Sequence, residues 1–447
     1  MKFINLIKNI WKIEDLRGRL ITTFLFVLVY RFGSYVILPG VDPDTLANLH
    51  AQTAGGLMAL LDMFSGGAFS NASIFALGIM PYISAAIIVQ LLSIAIPYFQ
   101  KLQKEGESGR QRMNQITRVL TVAILLFQGP SYLINLSAQV AQASGEHLAI
   151  GFNWFTIYST IILTAGSMFV MWLGERITDR GVGNGISFII LIGIIARLPG
   201  ALIQEFSSRL NDAGGGLIVF IAEIIILILV FAFAIMLVQG TRRIPVQYAK
   251  RVIGNKQYGG VRQYIPLKVN AANVMPIIFA QAIMFIPIAI VGFNTDGSSA
   301  FARAFMDNNG FWYNLVFAFL IIAFTYFYTA VIINPQQMAE NLKMNNGFIP
   351  GVKPGKKTAE YIDSVMSRIT LPGAILLSII AILPAFARFF GVSMSFAQFY
   401  GGTSLLIMVG VVLDTLQQIE SQLLMRHYDG FLDSGMHIKG RTGNVVY

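Results

Sequence analysis

Cysteine is absent from the 447 residues of the chain. Disulfides, thiolate-bound metals and cysteine nucleophiles are therefore excluded. Histidine is nearly absent too. The four histidines stand at 50, 147, 427 and 437, and no two share a helical metal-ligand spacing, so neither a metal nor any other cofactor is expected. Charge is scarce: Asp, Glu, Lys and Arg make up 12% of the chain, against about 25% in soluble globular proteins. No G-x-x-x-x-G-K-[ST] phosphate loop occurs, and Gly181-Val-Gly-Asn-Gly185 reads better as the entrance to a helix than as a nucleotide loop. These absences point away from an enzyme and towards a membrane protein.

Long uncharged runs fill the chain instead, and hydrophobic residues form 55% of it. A bilayer span needs about 20 apolar residues. Ten segments qualify: 20–39, 72–96, 117–138, 154–174, 184–203, 215–239, 274–294, 311–333, 369–389 and 396–418. None alternates as the strands of a lipid-facing barrel do. The expected fold is therefore an all-α polytopic bundle. The N-terminus shows no A-x-A-like cleavage site after its first apolar run. Phe3, Ile7, Ile10, Trp11 and Ile13 lie among Lys2, Lys8 and Lys12, which suits a surface helix within 1–19; a solvated basic leader is the alternative.

Charge sorts the connections into two sets. The N-terminus, 97–116, 175–183, 240–273, 334–368 and the tail 419–447, with border residues, hold 27 of the 32 Lys and Arg. The positive-inside rule places that set, and both termini, in the cytoplasm. An even number of spans follows. Residues 57–70, LMALLDMFSGGAFS, are then too short to cross and would reverse every later loop if they did. They are expected to enter from outside and return, with Gly66-Gly67 as a flexible joint; an external surface helix is the other reading. Within the spans the deep ionisable groups are Arg31 and Glu223, each apparently solitary on its helix. Gln90, Asn184, Asn270, Asn273 and Gln281 add neutral polarity, and Ile79, Ile83, Ile278 and Ile407 suit an apolar constriction, although such a stripe is more often lipid-facing or core.

The loop 241–273 carries seven Lys or Arg and no Asp or Glu. Stretches around 244–249 and 261–266 flank a turn and predict a hairpin. The 334–368 loop carries Pro350-Gly351 and Pro354-Gly355 beside Lys353, Lys356 and Lys357. Two basic projections suit a large acidic partner, RNA-rich or protein. Aromatic stacking platforms are few, so sequence-specific nucleic-acid reading is not expected.

Seven stretches, in order, carry a resemblance to a known family: 64–92, 104–110, 171–187, 242–251, 264–280, 334–363 and 401–424. The chain resembles the SecY family, channel subunits of the bacterial protein translocase. The resemblance implies ten transmembrane helices in two pseudo-symmetric halves, 20–203 and 215–418, with 57–70 as a re-entrant plug helix. It implies a pore ring at Ile79, Ile83, Ile190, Ile278 and Ile407. It places the plug at Leu57, Leu60, Leu61, Asp62, Met63, Phe64, Gly66 and Gly67, and a lateral gate around Ile87, Gln90, Asn270, Asn273 and Gln281. Arg242, Arg243, Lys250, Arg251, Lys256, Lys353, Lys356 and Lys357 would meet the ribosome or the SecA motor. SecE, SecG, signal peptides, unfolded preproteins and membrane lipids are the other implied partners, and the bacterial cytoplasmic membrane the implied location.

Three departures stand out. Lys353 replaces the family's usual Arg, losing a bidentate fork, and Asn255 stands where a basic residue is common. Asp62 puts a charge in the plug, which is expected to loosen the closed state. Two rival classes remain: a secondary transporter, which would need a polar midplane site, and a scaffold that only docks ribosomes, which would leave a plug without purpose.

Overall fold

The computed structural model describes residues 13–41, 62, 64–144, 152–211, 216–248, 251–253, 256–258, 262–281, 283–284 and 310–433. The N-terminal segment to residue 12, Leu57, Leu60, Leu61, Met63, Lys250, residues 285–294 of the seventh expected span and the tail beyond 433 lie outside the described residues.

The chain is mainly helical. In order come α1 (Glu14–Gly33), α2 (Met80–Ala95), α3 (Pro97–Lys104), α4 (Glu107–Ser144), α5 (Phe152–Arg180), α6 (Gly185–Asn211) and α7 (Gly216–Gln239). After four strands come α8, helical at 275–281 and 283–284, then α9 (Phe311–Ile332), α10 (Pro335–Met344), α11 (Lys356–Phe389), the short α12 (Met394–Ala397) and α13 (Gly402–Asp433). Seven of these helices, among the described residues, are long and apolar enough to cross a membrane. The chain is thus a multi-pass membrane protein.

Local chemistry explains where elements differ from expectation. The first helix begins at Glu14 and stops at Gly33, and residues 34–39 are not helical. Ile37 instead bridges Ser73 as an isolated antiparallel pair. The 72–96 segment is helical only from Met80. Ala72 and Gly78 adopt φ of 45° and 53°, and Pro81 suits a first helical turn rather than an interior, so 73–79 become turns. Ile96 is extended and Pro97 opens a separate helix. Residues 335–344, expected as loop, form α10, capped by the Asn334 carboxamide accepting from Gln336 N and Gln337 N.

The packing order follows the short connections. α1 lies on α5, α4 on α2 and α5, α6 on α5, α7 and α13, and α11 on α9 and α13. Four residues link α6 to α7, which makes them antiparallel neighbours. Glycine sets the close approaches. A Cβ on Gly166 would lie 2.1 Å from the Ile74 carbonyl oxygen, and one on Gly185 2.0 Å from that of Gly174.

The expected hairpin is present. β1 (Thr241–Tyr248) pairs antiparallel with β4 (Arg262–Lys268), from Thr241 opposite Lys268 to Gln247 opposite Arg262. β2 (Arg251–Ile253) and β3 (Lys256–Tyr258) form a two-stranded tip. The two basic loops are not separate fingers, however. β5 (Gly347–Phe348) pairs with the other edge of β1, giving the order β4-β1-β5. Ile244, Val246, Leu267, Leu342, Ile349, Ile362 and Met366 form a buried core beneath this sheet. Among the described residues the fold is therefore helical, with a three-stranded sheet and a two-stranded tip at its basic end.

Gly166→Ala should lower the thermal midpoint in detergent by an amount equivalent to about 1–3 kcal/mol, the cost of overpacking. Gly200→Ala, with open space around it, should leave the midpoint unchanged or raise it.

Candidate functional site

The segment 62–70 is a tight turn held by its own short polar side chains. Gly67 N donates to Asp62 O at 2.9 Å, and Ser70 N to Asp62 Oδ1 at 2.8 Å. The Ser65 hydroxyl donates to Asp62 O and accepts from Phe69 N. Gly66 and Gly67 carry φ of 65° and 94°, a region that side chains disfavour. Their role is close approach rather than flexibility. A Cβ on Gly66 would fall 2.8 Å from Gly193 Cα, and one on Gly67 3.3 Å from the Arg197 guanidinium.

Three helices hold the turn in place. From α1, Tyr30 OH donates to Ser65 O at 3.0 Å and Arg31 Nη1 to Gly66 O at 2.8 Å. From α4, Tyr132 OH donates to Phe69 O at 2.8 Å. From α6, Arg197 Nη2 donates to Ser70 Oγ at 2.7 Å and forms an ion pair with Asp62. The charge expected to loosen the turn is thus compensated and tethers it. Arg31 is not solitary either: it bonds Tyr35 OH and sits over that ring. Arg197, Tyr30 and Tyr132 were not singled out from the sequence. The available signal was a cation, Arg197, and an anion, Asp62, each stranded in otherwise uncharged runs.

Packed against the turn is an apolar cluster. Ile79, Ile190 and Ile407 are buried in one cluster with Phe64 and Ala68 of the turn, and Ile83 packs against it. Ile278 belongs to the adjoining cluster, which Ile83 also touches. Four of the five isoleucines thus share one cluster, and Ile83 links the fifth to it.

That adjoining cluster is the seam between α2 and α8–α9. Ile87, Ala272, Phe279 and Tyr328 are buried in it. Among the described residues no hydrogen bond crosses it. Tyr328, fully buried, has no hydrogen-bond partner for its hydroxyl among the described residues. Gln90 is half-buried on α2. Asn270, buried, donates through Nδ2 to Asn273 O at the entrance to α8, where Asn273 has φ of 51°. Gln281 is turned away from the seam: its Nε2 reaches Thr403 Oγ1 on α13 at 3.4 Å.

At the basic end Arg242 and Arg243 are exposed on β1, and Lys353, Lys356 and Lys357 are exposed before and at the start of α11. Lys357 Nζ lies 2.9 Å from Glu360, and the Lys353 carbonyl accepts from Thr358 Oγ1. Arg251 and Lys256 fall on β2 and β3, with backbone partners Tyr258 and Ile253.

An irregular turn buried among long apolar helices, packed on an apolar cluster and beside a seam with no hydrogen bond among the described residues, defines a polytopic membrane bundle built around a buried segment. The SecY family profile matches residues 73–416. SecY translocase subunits of Streptomyces scabiei and Thermotoga maritima are 44% and 42% identical to it, over 94% and 97% of this chain and 98% and 99% of theirs. The chain belongs to the SecY family. Solved structures agree in fold. One of a protein-conducting channel aligns with a TM-score of 0.60 at 18% identity, covering 94% of this chain and 95% of its own. A SecY structure concerned with a plug that stabilises the closed channel gives 0.61 at 18%, with the same coverage. Sec61 from a canine ribosome-channel complex gives 0.56 at 16%, again with the same coverage.

Asp62→Asn and Arg197→Gln should each lower the thermal midpoint, and the double variant should be no worse than the poorer single, a coupling of about 1 kcal/mol or more. Tyr328→Phe should raise the midpoint, by about 1 kcal/mol, because it removes a buried hydroxyl that has no partner.

Proposed function

We propose that this chain is the protein-conducting subunit of a Sec translocase. It passes unfolded secretory proteins across the membrane and releases apolar segments sideways into the bilayer. The observation that carries this reading is the shared burial of Phe64 and Ala68 with Ile79, Ile190 and Ile407. A narrow apolar neck disfavours water and so blocks ions, and a turn seated against it completes the seal. The residues 57–70 act as plug, and Ile79, Ile83, Ile190, Ile278 and Ile407 as the ring through which the chain threads.

The seam between α2 and α8 is the lateral gate, with Ile87 at its centre and Gln90, Asn270 and Asn273 around it, while Gln281, turned towards α13, lies off it. A signal peptide is itself an apolar helix and replaces one dry surface with another. It opens the gate only to the extent that it binds the open state better. Tyr328, whose hydroxyl lacks a partner in the closed seam, lowers the cost of parting it.

The two halves, α1–α6 and α7–α13, move relative to each other, and the basic end faces the cytoplasm with both termini. The membrane is the bacterial inner membrane. There Arg242 and Arg243 of the joined sheet, Arg251 and Lys256 of the two-stranded tip, and Lys353, Lys356 and Lys357 at the start of α11 meet SecA or the ribosome, and SecE and SecG complete the complex. The ribosome-bound state of the canine relative supports that surface. Driving energy comes from these partners, and the chain itself is not an enzyme.

One observation favours the transporter alternative. A mostly apolar, open cavity that also exposes Gln281, Asn314, Arg388, Gln398, Thr403 and Ser404 lies within the second half. It lies among α8, α9, α11, α12 and α13, not between the halves where an alternating-access site belongs.

The absence of cysteine allows a direct test. A cysteine placed at Ile278 should crosslink to one in the middle of a stalled, signal-bearing secretory chain in membranes with SecA and ATP. The crosslink should vanish when the signal is deleted. No crosslink to a folded variant with a demonstrably engaged chain removes the ring assignment.

A further inference from the structure

Away from the basic end the described residues hold four cations, and three of them are bonded to oxygen. Arg31 donates to Gly66 O and Tyr35 OH. Arg197 pairs with Asp62. Arg209 pairs with Glu205 at 3.0 Å and with Glu223 on α7 at 2.6 Å, so Glu223, which looked solitary on its helix, has a partner. The fourth cation, Arg388, stands exposed in the last turn of α11. Among the described residues no carboxylate pairs with it. Its Nη1 donates to the Met394 thioether of α12, and sulfur of that kind is a weak acceptor. A guanidinium is best satisfied by a carboxylate or a phosphate, which can take two parallel hydrogen bonds.

Arg388 lines the cavity of the second half, together with Tyr313 and Phe317 of α9 and Ala381 and Pro384 of α11. Two of the amides there are already engaged. Gln281 reaches Thr403, and Asn314 Nδ2 donates to Gly310 O at 3.0 Å. What the cavity offers a ligand is therefore one cation beside apolar walls. A hydrophilic solute would leave those walls unused, whereas an anionic amphiphile matches both. The surrounding surface has the same character. Leu371, Ile375, Ile379 and Phe386 are exposed along α11 at steps of four and seven, and Phe311, Leu315 and Phe319 along α9 at steps of four. Each set lies on one helix face. Both helices are long and apolar enough to cross a membrane, so these faces suit acyl chains, and a cation at the end of a span reaches the headgroup level.

We propose that Arg388 and this cavity hold an anionic phospholipid of the external leaflet. Its phosphate takes the guanidinium from the Met394 sulfur, and its acyl chains run along the exposed faces of α9 and α11. The leaflet rests on the orientation proposed above, with the basic end in the cytoplasm. A lipid seated there touches α9, α11 and α12 together, and α12 leads directly towards the helix that carries Ile407.

The test uses the full chain in phosphatidylcholine vesicles, with one fluorophore on a cysteine introduced at Phe389, which is 88% exposed and outside the cavity lining. Quenching by spin-labelled phosphatidylglycerol is compared with quenching by spin-labelled phosphatidylcholine. A probe at Ile225, exposed on α7, gives the reference ratio. Preference for phosphatidylglycerol at 389 should exceed that at 225 by about fivefold, the effect of one cation near a membrane surface. Arg388→Gln should abolish the difference, Arg388→Lys should keep part of it, and Met394→Leu should leave it unchanged or larger. Excess inorganic phosphate at constant ionic strength should not reduce it. Equal preference at the two probes, a preference that survives Arg388→Gln, or one lost in Met394→Leu overturns the site. Displacement by inorganic phosphate also overturns it, because the occupant is then a small anion. The leaflet is read separately: the unlabelled cysteine at 389 should react with an impermeant thiol reagent added outside spheroplasts. Reaction from the cytoplasmic side alone overturns the orientation and with it the leaflet, while quenching still decides the lipid site.

Discussion

Irregular backbone can lie at membrane depth only if protein supplies what water cannot. The turn 62–70 meets that condition carbonyl by carbonyl. Ser65 O, Gly66 O and Phe69 O each accept from a side chain of a neighbouring helix, and Gly66 lies directly on the Gly193 backbone. The rest of the site depends on this seating. It brings Phe64 and Ala68 into the cluster of Ile79, Ile190 and Ile407, and it pairs Asp62 with Arg197. A bulkier residue at either glycine would displace the turn from the α6 surface it lies on.

α6 is the element on which these functions meet. Its entrance follows a glycine link bonded to α13, its middle contributes Ile190, Gly193 and Arg197 to the neck and turn, and its far end carries Glu205 and Arg209. Pro199 lies between the last two groups. An apolar cluster, the ion pair to Asp62 and the Glu205–Arg209 pair are thus stations along one helix of 27 residues.

Much of this was legible from residues alone. Span positions follow from length and apolarity, and the hairpin follows from β-prone stretches around a glycine turn. The plug segment stood out because it was too short to cross and would have inverted the charge pattern. What the sequence hid were partnerships. Asp62 and Arg197 are 135 positions apart, and Arg209 and Glu223 sit on different helices; no periodicity links such residues. Ion pairs across helices depend on packing that local patterns do not encode. Helix ends failed for a related reason: Ala72, Gly78 and Pro81 break the 72–96 run, yet its apolarity reads as continuous. The family resemblance supplied roles for residues, but it pointed to Asp62 as a weakness because it brought no partner with it.

The shared sheet at the basic end changes how a large partner can act. β1 leaves α7 after a single residue, and β5 lies between α10 and the start of α11. Strand pairing makes these stretches one body over a common apolar core. A load placed on either loop therefore arrives at the feet of α7 and α11 together. Whatever grips this end holds a handle on the whole second half, and its leverage is set by the stiffness of three short strands.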